Sequence, residues 1–334
     1  MTKGLRKSFP SRGGRGEPVD AVRGIDLTVG EGEIFGFLGP NGAGKTTTLR
    51  MLATLVPPDG GTATVAGADL LGEAAEVRRR IGYVAQGGGT ADGVSAREEL
   101  VLQARMYGVG KAEARTRAQE AVDGFALGEF ADRNCGTYSG GQRRRLDLAL
   151  GVIHRPRLLF LDEPTVGLDP QSRAHVWAEI RRLRDQGMTV LLTTHYLDEA
   201  DSLCGRVAIV DHGRVVAEGT PEQLKKEIAG DAVSLSLRSE DCPAAEGALG
   251  ALPWVSGLES VPGEPGADAG DGGSGGSDAG ETVLRLYVDS AATALPRLMR
   301  VLQEAGVEPL LVQLRRPSLD DVFLARTGRP LDGG

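Results

Sequence analysis

Gly39-Pro40-Asn41-Gly42-Ala43-Gly44-Lys45-Thr46 follows the apolar run Ile34-Phe35-Gly36-Phe37-Leu38 and opens a helical pattern through Leu49, Met51 and Leu52. Strand, glycine loop and helix in that order give a G-x-x-x-x-G-K-T match its meaning as a phosphate loop. The first turn of a helix leaves backbone N–H groups unpaired, and the helix dipole adds partial positive charge there. Gly42 and Gly44 let the backbone approach a polyphosphate closely, where a Cβ would obstruct it. Lys45 can supply a full charge to the β- and γ-phosphates, and Thr46 a hydroxyl for Mg²⁺. The competing reading is a glycine-rich turn with a solvated lysine, but eight matched positions in the right context outweigh it. The stretch implies a nucleoside-triphosphate site.

Working outward, 334 residues suffice for one large domain and a small one. A composition of 40% hydrophobic and 25% charged residues reads as a globular chain. No apolar run approaches the roughly 20 residues of a membrane span. Lys3, Arg6, Lys7, Arg12 and Arg15 lie near the start, but no apolar segment follows them, so a signal peptide is not expected. Cys135, Cys204 and Cys242 are odd in number and far apart, which argues against a disulfide framework or a zinc site and fits a reducing compartment. The net charge of −8 is local: nine acidic residues and no Lys or Arg fall between Ser239 and Leu284. Without that segment 38 basic residues face 37 acidic ones, so there is no basic field of the kind that holds nucleic acid.

Along the chain, Ala21 to Val29 alternates as a half-exposed strand, after a short strand from Leu5 and a Gly/Arg-rich loop, Ser11 to Gly16. Thr62 to Ala66 and Ile81 to Ala85 read as further strands, the second ending at Gln86. Ser95 with Glu98 is a capping-box signature and opens a mostly helical insertion, with a helical subdomain expected over about 87–155. Leu146, Ala149, Leu150 and Ile153 mark one apolar face of a helix after Tyr138-Ser139-Gly140-Gly141-Gln142. Leu158 to Leu161 is a buried strand by composition, a helix from about Gln171 to Gln186 follows, and Thr189 to Thr193 is a second buried strand ending before His195. Alternating strands and helices around a phosphate loop predict an α/β core with a parallel sheet and helices on its faces. Val207–Val210 and Val215–Glu218 read as a hairpin.

Past about residue 228 the composition shifts. Strands at Val233–Leu237, Val283–Tyr287 and Leu310–Leu314 and a helix from Leu295 to Ala305 predict a small α+β accessory domain over 229–334. Its Gly/Asp-rich stretch, about 262–280, is too polar to bury and reads as a flexible loop.

The chemistry gathers around the phosphate loop. Asp162 and Glu163 stand at the carboxyl end of a buried strand, where a carboxylate can hold Mg²⁺ and its neighbour can act as general base for an in-line water. His195 ends the next strand, where it could orient that water. Ser139-Gly140-Gly141-Gln142 opens a helix with a hydroxyl and two glycines, a second anion-ready N-terminus or simply a cap. Two such sites suggest one nucleotide contacted from both sides, within a subunit or across a two-fold pair of chains.

In order and spacing, Gly39–Thr46, Gln86, Tyr138–Gln142, Leu158–Glu163, Gly167-Leu168-Asp169 and His195 resemble the motifs of ATP-binding cassette (ABC) proteins, over about residues 5–226. The resemblance implies a P-loop ATPase core with an antiparallel β subdomain and a helical subdomain, cofactors ATP and Mg²⁺, and ATP hydrolysis. It implies a catalytic set of Lys45, Glu163 and His195. The ATP contacts it implies are Phe9, Gly39, Pro40, Asn41, Gly42, Ala43, Gly44, Lys45, Thr46, Thr47 and Gln86. Metal contacts would come from Thr46, Gln86 and Asp162. Ser139, Gly140, Gly141 and Gln142 would be the signature closing over the opposite subunit's ATP, and Asp169 would join the two sites. Tyr138 replaces the family's usual leucine, and only Met1 to Lys7 and Ser8 precede Phe9, the adenine platform, where the family has a full strand.

Thr193 to Asp201 and the tail Leu319-Asp320-Asp321-Val322-Phe323-Leu324 look like the daunorubicin-resistance type of exporter subunit. That implies a drug or antibiotic exporter's ATPase subunit, paired with a second copy of itself and a separate transmembrane permease, at the cytoplasmic face of the membrane. Neither nucleic acid nor the transported molecule is expected as this chain's own ligand. The alternative is a non-transport cassette ATPase of DNA repair or translation; the helices are short for the first, and the single phosphate loop is against the second. Within the tail, Ser318 with Asp321 predicts a capped helix whose Leu319, Val322 and Phe323 share one apolar face.

Overall fold

The computed structural model of the chain describes residues 1–11, 18–228, 231–250, 252–262, 281–288, 291–315 and 318–328. Most of the expected Gly/Arg-rich and Gly/Asp-rich loops, 12–16 and 263–280, lies outside the described residues. Two compact units form, Met1–Pro221 with Arg326–Gly334, and Glu222–Ala325.

The first unit begins with β1 (Thr2–Phe9) and β2 (Val19–Leu27), then β3 (Ile34–Leu38) and α1 (Lys45–Leu52) around the glycine loop. β4 (Gly60–Val65), β5 (Ala68–Asp69), α2 (Ala74–Arg80) and β6 (Ile81–Val84) follow. The helical stretch comprises α3 (Ala96–Met106), α4 (Lys111–Gly124) and α5 (Gly140–Val152). The chain then alternates through β7 (Leu158–Asp162), α6 (Pro170–Asp185), β8 (Thr189–Thr194), α7 (Leu197–Leu203) and the hairpin β9 (Arg206–Asp211)–β10 (Arg214–Gly219). α8 (Pro221–Ile228) spans the division between the units.

Six strands order as β10-β9-β3-β8-β7-β6, parallel except for the edge strand β10, which runs antiparallel to β9. β3, all five residues buried, sits centrally, as a strand covered on both faces must. Its register pairs Leu38 with Thr194, and Asp162 pairs with Thr193, so the carboxyl ends of β3, β7 and β8 are level. That edge is where ligands gather in open parallel sheets. β2, β1, β4 and β5 form a separate antiparallel sheet. Its buried residues Leu5, Val22, Ile25 and Val65 join one cluster with Phe35, Phe37 and Phe160 of the parallel sheet, so the two sheets share a core. This is the α/β P-loop ATPase fold the sequence predicts.

Two details differ from the sequence reading. β1 is a full strand of eight residues ending at Phe9, paired with both β2 and β4. In α5 the buried face runs through Arg144, Leu146, Asp147, Leu148, Ala149 and Gly151, whereas Leu150 is only half-buried. The sequence reading assigned the apolar stripe by hydropathy alone and so gave Leu150 the place that Arg144 and Asp147 take.

The second unit is an antiparallel sheet, β12-β13-β11-β14, from β11 (Asp231–Arg238), β12 (Val255–Pro262), β13 (Glu281–Val288) and β14 (Leu311–Arg315). Helices α9 (Cys242–Leu249) and α10 (Ala291–Glu304) supply Ala245, Leu249, Leu298 and Leu302 to a core with Val233, Leu235, Leu284 and Leu286. β12 and α9 are absent from the sequence reading, and α10 starts four residues before the expected Leu295, with Pro296 inside it. α11 (Leu319–Thr327) has Ser318 and Asp321 bonded reciprocally, and buries Leu319, Val322 and Phe323 as the spacing predicts.

Candidate nucleotide site

The glycine loop is built by close backbone approach. Gly44 has φ +100°, and a Cβ there would stand 2.3 Å from the Ala21 carbonyl oxygen. Gly213, in the β9–β10 turn, donates to the Ala43 carbonyl at 3.0 Å, and Arg23 N–H donates to the Gly213 carbonyl at 2.8 Å. β2 and the β9–β10 hairpin thus brace the loop from behind. Asn41 and Gly42 remain exposed at its crest, and Pro40, Thr46 and Thr47 are half-buried along it.

Lys45, 4% exposed, turns back over this loop. Its ammonium donates to the carbonyls of Gly39 (2.7 Å) and Pro40 (3.1 Å) and lies 3.4 Å from Glu163 Oε1. Burial pushes the Lys45 ammonium down from its ordinary value, and the Glu163 and Asp162 carboxylates oppose that shift. Glu163 itself is 6% exposed. Its carboxylate accepts a bond from Gln86 Nε2 at 2.8 Å and lies 3.4 Å from His195 Nδ1, a contact whose alignment does not make a hydrogen bond. One carboxylate therefore gathers Lys45, Gln86 and His195 from three elements.

Glu163 also holds a left-handed backbone, φ +47°, which a non-glycine residue adopts at a cost of roughly 1–3 kcal/mol. Thr193 pins it there: the Glu163 N–H points at the Thr193 carbonyl (3.2 Å) and hydroxyl (3.0 Å). The Thr193 hydroxyl donates in turn to Asp162 Oδ1 at 2.8 Å, beside the bond of 2.9 Å that Asp162 accepts from the Thr46 hydroxyl. Thr46 and Asp162, from elements far apart in sequence, thus present two hard oxygen donors side by side, a set that suits Mg²⁺.

The remaining candidates lie elsewhere. Phe9 ends β1 on the antiparallel sheet, exposed, with the Lys7 ammonium 5.5 Å from its ring centre. Ser139 and Gln142 form a reciprocal capping box at the head of α5, and among the described residues none of their hydrogen bonds reaches the phosphate loop. Asp169 caps α6 by accepting from the Ser172 N–H (2.9 Å) and hydroxyl (2.6 Å), which hold its carboxyl below the usual range. A Cβ on Gly141 would meet that same Ser172 hydroxyl at 2.5 Å, so the signature glycines and Asp169 share one surface. Tyr138 packs edge-on against Phe130, and its hydroxyl donates to the Phe130 carbonyl at 2.6 Å. Burial pushes that phenol up to about 12.

A cavity of about 960 Å³ opens at the other end of the sheet, lined by Leu158 and Thr189, the first residues of β7 and β8. None of the candidate residues lines it. Residues that sequence reasoning missed are Thr193, Arg144 and Glu199. Glu199 is fully buried, accepts from the Thr165 hydroxyl (2.8 Å) and Trp177 Nε1 (3.0 Å), and has its carboxyl pushed up by burial. Their signal was faint, since each reads as an ordinary helix or strand residue until the fold brings its partner.

Comparison with known proteins gives the family of the chain. The ABC transporter family model matches residues 22–166. A daunorubicin/doxorubicin resistance ATP-binding protein of Streptomyces peucetius is 46% identical over 93% of this chain and 89% of its own length. A doxorubicin resistance ATP-binding protein of Mycobacterium tuberculosis is 39% identical over 99% of this chain and 94% of its own. Among solved structures, an ATP-binding cassette captured as a post-hydrolysis dimer with ADP and Pi is 26% identical, with TM-score 0.60, over 66% of this chain and 97% of that one. The chain belongs to the ABC transporter family, as an ATP-binding, ATP-hydrolysing subunit.

Proposed function

We propose that this chain powers the export of an antibiotic-class small molecule through a separate membrane permease, working as an ATP-sandwich dimer. The observation that carries the ATPase part is the convergence of Lys45, Gln86 and His195 on the Glu163 carboxylate, beside the glycine cradle. In this reading the loop from Gly39 to Thr47 and the N-terminus of α1 hold the triphosphate, with the Lys45 charge on the β- and γ-phosphates. Glu163 takes the proton of an in-line water, and His195 keeps that water in place. Thr46, Asp162 and Gln86 would hold Mg²⁺, which draws charge off the β- and γ-oxygens when bound. Phe9 offers the base a ring to stack on.

Because Ser139–Gln142 and Asp169 occupy a surface of their own, they are assigned to the nucleotide held by a second copy, in a two-fold pair that encloses two nucleotides. The export reading rests on the resistance relatives, whose likeness runs through the second unit as well as the cassette. Residues 1–228 are read as the ATPase domain, with a helical subdomain over about 87–155, and 229–334 as the accessory domain. Among the described residues no helix is long and apolar enough to cross a membrane. On the exporter reading the chain takes a peripheral place on the cytoplasmic face, attached through the permease.

The test is reconstitution in vesicles with a candidate membrane permease. ATP turnover that rises with an added antibiotic, together with ATP-dependent movement of that compound, is the expected result. Turnover without movement of any compound, in a complex shown to be assembled, would leave the ATPase and remove the exporter.

A further inference from the structure

Arg144 lies in the second turn of α5, a position where an arginine would ordinarily reach solvent, yet its side chain is only 6% exposed. Its guanidinium spends its donors on four backbone carbonyls. Nε donates to Pro164 O at 2.6 Å, Nη1 to Ala85 O at 2.8 Å, and Nη2 to Asp162 O at 3.3 Å and Glu163 O at 3.2 Å. Asp147, one turn further and also buried, lies 3.9 Å from Nη1 and accepts from the Gly89 N–H at 3.4 Å. Gly88, at φ +71°, passes so close that a Cβ would stand 2.9 Å from Asp147 Oδ2. The partners are not scattered. Ala85 and Gly89 bracket Gln86, Asp162 to Pro164 bracket Glu163, and α5 is the helix that Ser139 caps.

Burying a guanidinium costs several kcal/mol unless its donors are met, and here a planar fan of carbonyls meets them. An apolar side chain would have filled the same space without that penalty. The arrangement therefore does something packing alone does not require: it ties the glutamine loop, the strained backbone at Glu163 and the signature helix to one rigid group. We propose that Arg144, with Asp147 behind it, is a positioning residue of the ATPase site, making those three segments move as one body. The proposal rests on the reading of Glu163 as general base.

The experiment uses the full-length chain with Arg144→Lys and Arg144→Gln, measuring MgATP turnover, affinity for a fluorescent ATP analogue and melting temperature. Lysine keeps the charge and loses the fan, so kcat should fall roughly 10–100-fold, as misplacement of catalytic groups by about 1 Å does, while ATP affinity holds within about 3-fold. If Arg144→Gln does not fold, Arg144→Lys carries the test. Combining Arg144→Lys with Gln86→Ala supplies a readout a structural role would not move. Residues acting through one body give losses smaller than the product of the two, whereas independent effects multiply. A kcat within about 2-fold of the parent, multiplicative losses, or turnover, affinity and melting temperature falling together would overturn the proposal. Glu163→Gln is run alongside: if it retains parental turnover, the base assignment fails, independently of how Arg144→Lys compares with the parent.

Discussion

Gln86 Nε2 donates a hydrogen bond of 2.8 Å to Glu163 Oε2, joining the loop after β6 to the carboxylate just past the end of β7. The other oxygen of that carboxylate faces Lys45 and His195, each at 3.4 Å. A carboxylate has about four acceptor sites, so the bond from Gln86 leaves capacity to accept from a water as well. Arg144 ties the Gln86 loop both to the backbone at Glu163 and to α5, so the two partners of this bond are held by one group.

Replacing Glu163 by Gln separates binding from chemistry. The introduced amide keeps the shape and can still pair with Gln86, but it cannot accept a proton. Turnover should fall roughly 10²–10⁴-fold. Binding of a fluorescent ATP analogue should be retained, and size-exclusion chromatography with MgATP should show a dimer that outlasts the parent's. Near-parental turnover would remove Glu163 from the role of base.

Much of this site was legible before the fold was known, because its parts are short and local. The glycine loop needs only a strand before it and a helix after it, and both are plain in Ile34–Leu38 and Leu49–Leu52. Asp162 and Glu163 follow four apolar residues, so their place at a strand's end could be read. What hydropathy hides is the polar group whose partner is distant. Arg144 and Asp147 lie in phase with Leu148 and Gly151 on the buried face of α5, but without Ala85, Gly89 and Pro164 beside them their charge argues for solvent. Thr193 was similarly obscured, since a threonine in a buried strand reads as a β-branched filler. In the second unit β12 was missed because Gly257 and Pro262 break the alternation that marks a strand.

Ser139→Arg tests the composite site. Ser139 caps α5, and loss of such a cap costs about 1 kcal/mol, so the variant should stay folded with a slightly lower melting temperature. Its ATP affinity as an isolated chain should be close to the parent's, while its turnover is abolished. Lys45→Ala, by contrast, should lose ATP affinity. Mixing the two should restore part of the activity, since a mixed pair keeps one site with an intact loop and an intact signature. No recovery at any ratio, with mixed dimers demonstrated, would argue for a site complete within one chain.

Gly42 and Gly44 are both left-handed, yet alanine should affect them differently. At Gly44 the φ of +100° is compounded by a Cβ placed 2.3 Å from the Ala21 carbonyl, and neither backbone can yield without moving the loop. At Gly42, φ +81°, nothing lies within 4 Å of the Cβ position. Gly44→Ala should lower the melting temperature and abolish ATP binding together. Gly42→Ala should cost only the backbone strain, about 1 kcal/mol at the lower bound, with any larger loss confined to ATP affinity. Thermal melts with and without ATP separate the two, and equal destabilisation would contradict the bracing of the loop by β2.

His154 gives the chain an acid-sensitive point away from the site. It follows α5, stacks on Tyr107 with ring centres 3.7 Å apart, and places Nε2 2.8 Å from the Ile81 carbonyl at the start of β6. A carbonyl only accepts, so Nε2 carries the proton, and Nδ1 is left as a buried lone pair without a partner among the described residues. Protonating it would bury a second N–H with nothing to receive it, near the Arg117 guanidinium. Burial accordingly pushes the His154 imidazole below its ordinary value, the Ile81 carbonyl partly opposing and Arg117 assisting. The folded state thus resists a proton that the unfolded chain accepts near pH 6.5. Stability is unaffected by this group above that pH and falls as pH drops through the window between the unfolded and the lower folded value. His154→Gln can still donate to Ile81 but does not titrate. Carboxylates elsewhere affect both proteins alike, so the difference in melting temperature isolates the histidine. Taken from about pH 7.5 to pH 5, the parent should lose more melting temperature than the variant, and the difference should develop below about pH 6.5. Parallel curves across that range would mean that the imidazole is free to charge in the folded chain.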